Sequence, residues 1–271
     1  MINIDEISKK VPKSDSAYVA RDGLLHCAKC GEPLEAVLDV PLIGRKKVRC
    51  VCSCMEAERA LQEGREEQAK RERVREECFG GSKMMKCTFD GSSENENLNI
   101  AKNYVENFEA FKRQGTGLLL FGKCGTGKSH MAACIANALI DKGERALMTN
   151  FATMINILQS AFEGRQEYIN SLNRYGLLVI DDLGAERKSD YMRENVFNII
   201  DARYLSGLPM IITTNLTAEE LKRPTEISSA RIYERLLEKC HPIEITGRNI
   251  RRQHLQTEYA ETQKILKGAQ L

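Results

Sequence analysis

The sequence predicts an α/β protein, a parallel five-stranded sheet covered by helices on both faces, with a small cysteine-rich unit ahead of it. Three observations carry this expectation. From residue 115 onward, short apolar runs alternate with amphipathic helical stretches, the pattern of strand–helix–strand units. A glycine-rich loop separates the first of those runs from the helix that follows it. Five of the ten cysteines crowd into the first 54 residues.

Composition narrows the class further. A chain of 271 residues with 42% hydrophobic and 29% charged residues can bury a real core in one large or two modest domains. The longest strongly apolar runs, 118–121 and 177–180, are four residues each, far short of a bilayer span. The first thirty residues lack a basic start followed by an apolar stretch, so no secretory signal is expected. The expected compartment is therefore the reducing cytoplasm, where clustered cysteines hold metal more often than they form disulfides. Forty Lys+Arg against 38 Asp+Glu leave a net charge of +2. Bulk charge does not announce nucleic acid, and any such surface must be local.

The elements follow in chain order. Residues 1–25 show no sustained period and read as a short helix or loose arm. Residues 26–55 hold Cys27, Cys30, Cys50, Cys52 and Cys54 around a hairpin-like stretch with Val37, Leu38, Val40 and Val48. In 56–77, fourteen of twenty-two residues are charged, as in a solvated helix laced with i,i+4 pairs. Gly80-Gly81-Ser82 reads as a linker. The expected division is thus a metal-binding unit over 1–55, a charged helix and linker over 56–83, and an α/β domain over 84–271. Within the last, the expected helices are 98–114, 129–142, 153–162, 192–205 and about 230–239. The expected strands are 118–121, 145–149, 177–180, 210–213 and 242–245.

The stretch Gly122-Lys123-Cys124-Gly125-Thr126-Gly127-Lys128-Ser129 matches the phosphate-loop pattern G-x4-G-K-[ST]. Its glycines let backbone N–H groups wrap a β-phosphate, and the helix that follows adds its positive end. Lys128 is suited to the β/γ-phosphates, the Ser129 hydroxyl to Mg²⁺, and His130 is placed beside them at the same nucleotide. The apolar run 177–180 ends in Asp181 and Asp182. Asp181 is expected to hold Mg²⁺ through water, and Asp182 to orient or deprotonate the attacking water. Asp182 is shorter than the Glu common there, so slow hydrolysis is expected. Asn215, closing Thr213-Thr214-Asn215, could bond both the γ-phosphate and the water. Arg231 and Arg235 lie four apart on one helical face. They could reach a neighbouring subunit's γ-phosphate, or merely pair with Glu234 and Glu238. Arg251 could add a phosphate or nucleic-acid contact.

The pattern Cys27-x2-Cys30 and Cys50-x-Cys52-x-Cys54 offers five thiols for four tetrahedral Zn²⁺ positions, and Gly31 suits the knuckle turn. The spacing does not rank the last three, and an iron–sulfur cluster or free thiols remain alternatives. An all-thiolate zinc site leaves no open position and is structural. His26 reads as a bystander.

Together the phosphate loop, residues 177–184, the stretch from Gly207-Leu208-Pro209 to Asn215, and the two helical arginines resemble the AAA+ ATPase domain of bacterial and phage DnaC/DnaI-type helicase loaders. The resemblance spans about 89–252, and the cysteine knuckle with its charged helix is also similar to that family. It implies a P-loop NTPase with sheet order 5-1-4-3-2, ATP held between self-associating subunits, and an N-terminal region that binds the hexameric replicative helicase and places it on single-stranded DNA. It implies that Arg235 falls at the arginine finger, with Arg231 beside it, and Arg251 at a sensor position. No separate helical lid is evident in the 26 residues after Ile245. The nearly identical motifs of IstB-type transposition helpers give one alternative, from which the knuckle leans away. An adaptor or inhibitor using ATP only as a switch gives another. Residues 221–271 carry ten Lys+Arg against six Asp+Glu, a local excess available to DNA.

Overall fold

The computed structural model describes residues 16–41, 44–90, 95–160, 164–184, 190–247, 249, 252, 255, 259, 262–263 and 266–267. Two compact units divide the chain, 1–70 and 71–271.

In the first unit, β1 (Ala17–Val19) pairs antiparallel with β2 (Leu25–Cys27). The described part of the stretch expected to be a loose arm is therefore strand and turn. A second hairpin joins β3 (Glu35–Val40) to β4 (Gly44–Arg49), with Ala36 opposite Val48 and Val37 opposite Lys47. The buried interior is thin: Cys27, Leu34 and Cys52, with Leu25, Cys54 and Met55 against them. A core this small holds a fold only with a staple.

Helix α1 (Ser53–Phe79) follows. Its exposed turns are tied along one face by Arg59–Glu63 and Gln62–Glu66, both at 2.8 Å. Its last turns belong to the second unit. Cys78 and Phe79 are buried and Val74 packs beside them, as do Met84 and Met85 of the short 3₁₀ turn Lys83–Lys86. The division thus falls inside α1 and not at Gly80-Gly81-Ser82, because apolar side chains on both sides of those glycines enter the same core.

The second unit contains the sheet: β5 (Gly117–Phe121), β6 (Ala146–Asn150), β7 (Leu177–Leu183), β8 (Met210–Thr214) and β9 (Cys240–Glu244). Every pairing is parallel and the order is β6-β7-β8-β5-β9. Counted within this sheet alone, with β5 as strand 1, that order reads 2-3-4-1-5 from the β6 edge and 5-1-4-3-2 from the other. Because strand side chains alternate, Leu118, Leu120, Val179 and Ile211 enter one core and Leu119, Leu178, Ile180 and Ile212 the other. The first is covered by α2 (Glu96–Glu106), α3 (Phe108–Gln114) and α4 (Lys128–Asp141), the second by α5 (Phe151–Ser160), α7 (Asp190–Leu205) and α9 (Ile227–Lys239).

Two helices lie where none was expected, α6 (Arg165–Ser171) and α8 (Ala218–Lys222). A reciprocal Thr217–Glu220 capping box fixes the start of α8. The single helix expected over 98–114 is two helices meeting at Asn107.

Candidate functional site

Parallel strands deliver their C-terminal ends to one edge, where ligands of open α/β sheets bind. The ends of β5, β8 and β7 are adjacent there. They carry, respectively, the glycine-rich loop, Asn215 and the Asp181–Asp182 pair.

The loop wraps tightly for identifiable reasons. At Gly122, φ is 136° and an added Cβ would sit 2.6 Å from the Ile245 carbonyl oxygen of the neighbouring chain end. Gly125, with φ 83°, leaves space that the Asn249 side chain fills. Asn249 also donates from Nδ2 to the Cys124 carbonyl at 3.3 Å. The Thr126 hydroxyl donates to the Lys123 carbonyl at 2.9 Å, closing the turn. Gly127 then caps α4 in the left-handed region, and no side chain caps that end by hydrogen bond. The first N–H groups of α4 are thus presented to the loop, an arrangement that favours anions.

Lys128 is 6% exposed. Its Nζ donates to the carbonyls of Gly122 and Lys123 and to Asn215 Oδ1, each at 2.8 Å. Asn215 in turn donates from Nδ2 to Asp182 Oδ1 at 2.7 Å. The cation, the amide and the carboxylate expected from their motifs therefore form one chain of hydrogen bonds across β5, β8 and β7. Asp181 accepts from the Thr213 hydroxyl at 2.5 Å. Ser129 and His130 continue along α4 from Lys128, and His130 Nδ1 lies 3.5 Å from the Cys134 thiol. Cys124 is exposed on the loop. Arg251 lies outside the described residues.

Arg231 and Arg235 share one face of α9, and both stack on Phe197 of α7, at 4.3 and 4.6 Å from its ring centroid. The surface pairing considered with Glu234 and Glu238 is not what holds Arg235. Its Nε donates to Asp201 Oδ1 on α7 at 2.6 Å and its Nη1 to the Arg231 carbonyl. Glu238 instead accepts from Tyr204. The reason is geometric: α7 and α9 run side by side, so the inward edge of the arginine face meets a carboxylate of the neighbouring helix before one of its own.

In the first unit, the thiol sulfurs of Cys27, Cys30, Cys52 and Cys54 all lie within 4.8 Å of one another. Cys54 is 3.5 Å from Cys27 and 3.3 Å from Cys52. Cys50 is outside the group. It directly follows β4, its backbone N–H donates to the Leu34 carbonyl at 2.8 Å, and Cys54 is carried by the first turn of α1. Backbone N–H groups of Cys30 and Lys29 pull the Cys27 thiol down to about 6. Hydrogen bonding to Cys52 and Cys27 pushes the Cys54 thiol up. Such a set ionises fully only when a cation compensates it, and four mutually close thiols fit a tetrahedral thiophilic ion. His26 is occupied elsewhere, by the Gly31 carbonyl at 2.8 Å and Asp22 at 2.9 Å.

The sequence profile of the family described as IstB-like ATP binding protein matches residues 65–258. The chain belongs to that family. The match takes in the phosphate loop, both carboxylates, Asn215 and the paired arginines, and leaves the cysteine group outside it. The chain is 30% identical over 150 residues to the replicative helicase loader DnaI of Bacillus subtilis (strain 168), covering 51% of this chain and 48% of that one. It is 31% identical over 143 residues to the replicative helicase loader DnaC of Escherichia coli (strain K12), covering 51% and 56%. The chain thus spans about half the length of these two relatives. A crystal structure of the DnaC helicase loader superposes with a TM-score of 0.53 at 26% identity, over 61% of this chain and 100% of that one. The fold of this IstB-like unit is accordingly that of an AAA+-like P-loop protein. Among the described residues, no helix is long and apolar enough to cross a membrane.

Two site residues were given no role by the sequence: Thr213, which belongs to the Thr213-Thr214-Asn215 stretch but whose hydroxyl was not singled out, and Asp201, which lies in no motif.

Proposed function

We propose that this chain is an ATPase that binds a replicative hexameric DNA helicase and deposits it on single-stranded DNA in the cytoplasm. The observation that carries the ATPase part is the continuous bridge Lys128–Asn215–Asp182 at 2.8 and 2.7 Å, which links the phosphate-contacting cation to the group placed at the attacking water. In this reading the loop from Gly122 to Ser129 cups the triphosphate, with His130 beside it. Ser129 and Asp181 would hold Mg²⁺, which would supply charge neutralisation to the triphosphate. Asp182 and Asn215 orient the water that attacks the γ-phosphorus as the bond to the β-phosphate oxygen breaks, giving ADP and phosphate. Arg235, with Arg231 beside it, serves a neighbouring copy's nucleotide, and Arg251 adds a further phosphate contact. The thiols of Cys27, Cys30, Cys52 and Cys54 hold a structural Zn²⁺ that staples residues 1–55.

The helicase and DNA part rests on similarity to the two loaders. The test is retention of a replicative helicase by the immobilised full chain, with and without ATP and Mg²⁺, followed by transfer of that helicase to a single-stranded circle. ATP-dependent retention and transfer are expected. Retention of a transposase instead would favour the transposition-helper reading. Retention with no measurable phosphate release would favour an ATP-switched adaptor, a reading that the short carboxylate of Asp182 supports.

A further inference from the structure

The pairing of β7 with β8 is interrupted at the site. Ile180 lies opposite Ile212, but the next matched pair is Leu183 with Thr214. Two residues of β7, Asp181 and Asp182, therefore face one residue of β8, Thr213, which is the geometry of a β-bulge. Asp182 is the one non-glycine residue with positive φ, 62°, among the described residues. This conformation is disfavoured for an L-residue and persists only where its surroundings impose it.

Thr213 is what imposes it. Its side chain is 1% exposed, and its single hydroxyl serves both bulged residues: it donates to Asp181 Oδ1 at 2.5 Å and accepts the Asp182 backbone N–H at 2.9 Å. The proton direction is fixed, because an amide can only donate and the hydroxyl's one proton is left for the carboxylate. Asp181 is thereby held at the strand tip, while Asp182 is turned so that its side chain meets Asn215 at 2.7 Å. Valine would match the shape of threonine but could neither donate nor accept.

We infer that Thr213 is the positioning residue of the site: one buried hydroxyl sets the separation and aim of both carboxylates through the bulge. It touches no reacting atom. The inference rests on the reading that Asp181 and Asp182 serve ATP hydrolysis.

The test compares T213V, T213A and T213S in the full chain, with D181N and D182N alongside. Phosphate release, ATP affinity by calorimetry with and without Mg²⁺, and thermal melting are measured on each. For T213V and T213A, ATP affinity in EDTA within about twofold of the parent is expected, because Lys128 and the loop are untouched. Their kcat should fall about ten- to a hundredfold, the scale of a misplaced catalytic group, and the Mg²⁺ needed for half-maximal turnover should rise. T213S keeps the hydroxyl and should keep turnover. Parent-like kcat and Mg²⁺ dependence in T213V or T213A, with D181N and D182N inactive, would overturn the inference while leaving the site reading intact. Undiminished hydrolysis in D181N and D182N would instead overturn the site reading. If neither T213V nor T213A folds, T213S decides: a tenfold loss of kcat at an unchanged melting temperature counts against the hydroxyl, and retained kcat supports it.

Discussion

Lys128 is buried and takes the loop carbonyls and Asn215 as its acceptors. Lys128→Ala should therefore abolish ATP binding and also release Asn215. Calorimetry showing unchanged affinity would move the nucleotide elsewhere. A purely structural counterpart is Arg203, 1% exposed, which donates to the carbonyls of Pro209, Leu172 and Gly176. Burial holds its guanidinium down to about 10, so it stays charged at neutral pH. Arg203→Met leaves those carbonyls without their donor and should cost about 3 kcal/mol, lowering the melting temperature by about 6–12 °C. An unchanged melting temperature would show that other donors replace it. At this scale, motif residues were legible because phosphate chemistry dictates residue type at fixed spacing. Arg203, Asp201 and Thr213 were not, since each acts on partners 6 to 34 positions away that only the folded chain brings near.

Among the elements, α1 offers a direct measurement. Gly64 lies mid-helix and a Cβ there would meet nothing within 4 Å. Gly64→Ala should stabilise the helix by about 1 kcal/mol, read as a deeper 222 nm signal and a higher melting temperature; a loss of helicity would contradict the placement. The knuckle offers another. If the four thiols hold the proposed Zn²⁺, they must bind it as thiolates, so zinc affinity should fall as pH drops and each thiol regains its proton, Cys54 before Cys27. Elemental analysis after dialysis at pH 5 and pH 8 checks the direction. Strands and helices of the sheet were legible from period alone. Besides the short helices α6 and α8, two features resisted that reading. Asn107 splits what periodicity joins, since both flanking helices keep apolar faces toward one core. The α1 boundary is hidden because charge density along 56–77 is uniform while burial changes abruptly near its end.

At the scale of the whole molecule, Arg235 is proposed to serve a second copy's nucleotide, for which its ion pair with Asp201 on α7 of its own chain must open. Arg235→Ala should bind ATP normally and hydrolyse it slowly. Turnover per chain should rise with protein concentration in the parent and stay flat in the variant. Concentration-independent turnover in the parent would remove the shared site. If the basic excess of 221–271 grips single strands, that affinity should drop steeply between 50 and 200 mM salt, about tenfold or more for a few phosphate contacts. Assembly is implied only by resemblance, because nothing in a single sequence states which surfaces copies share.

The left-handed turn at Asp182 has an evolutionary corollary. Glycine there would relax the backbone and should make the protein melt later, yet it would delete the carboxylate that Asn215 grips. Selecting variants for heat tolerance alone would therefore drift toward a sturdier, silent protein, and only a screen that also demands phosphate release would keep aspartate in place.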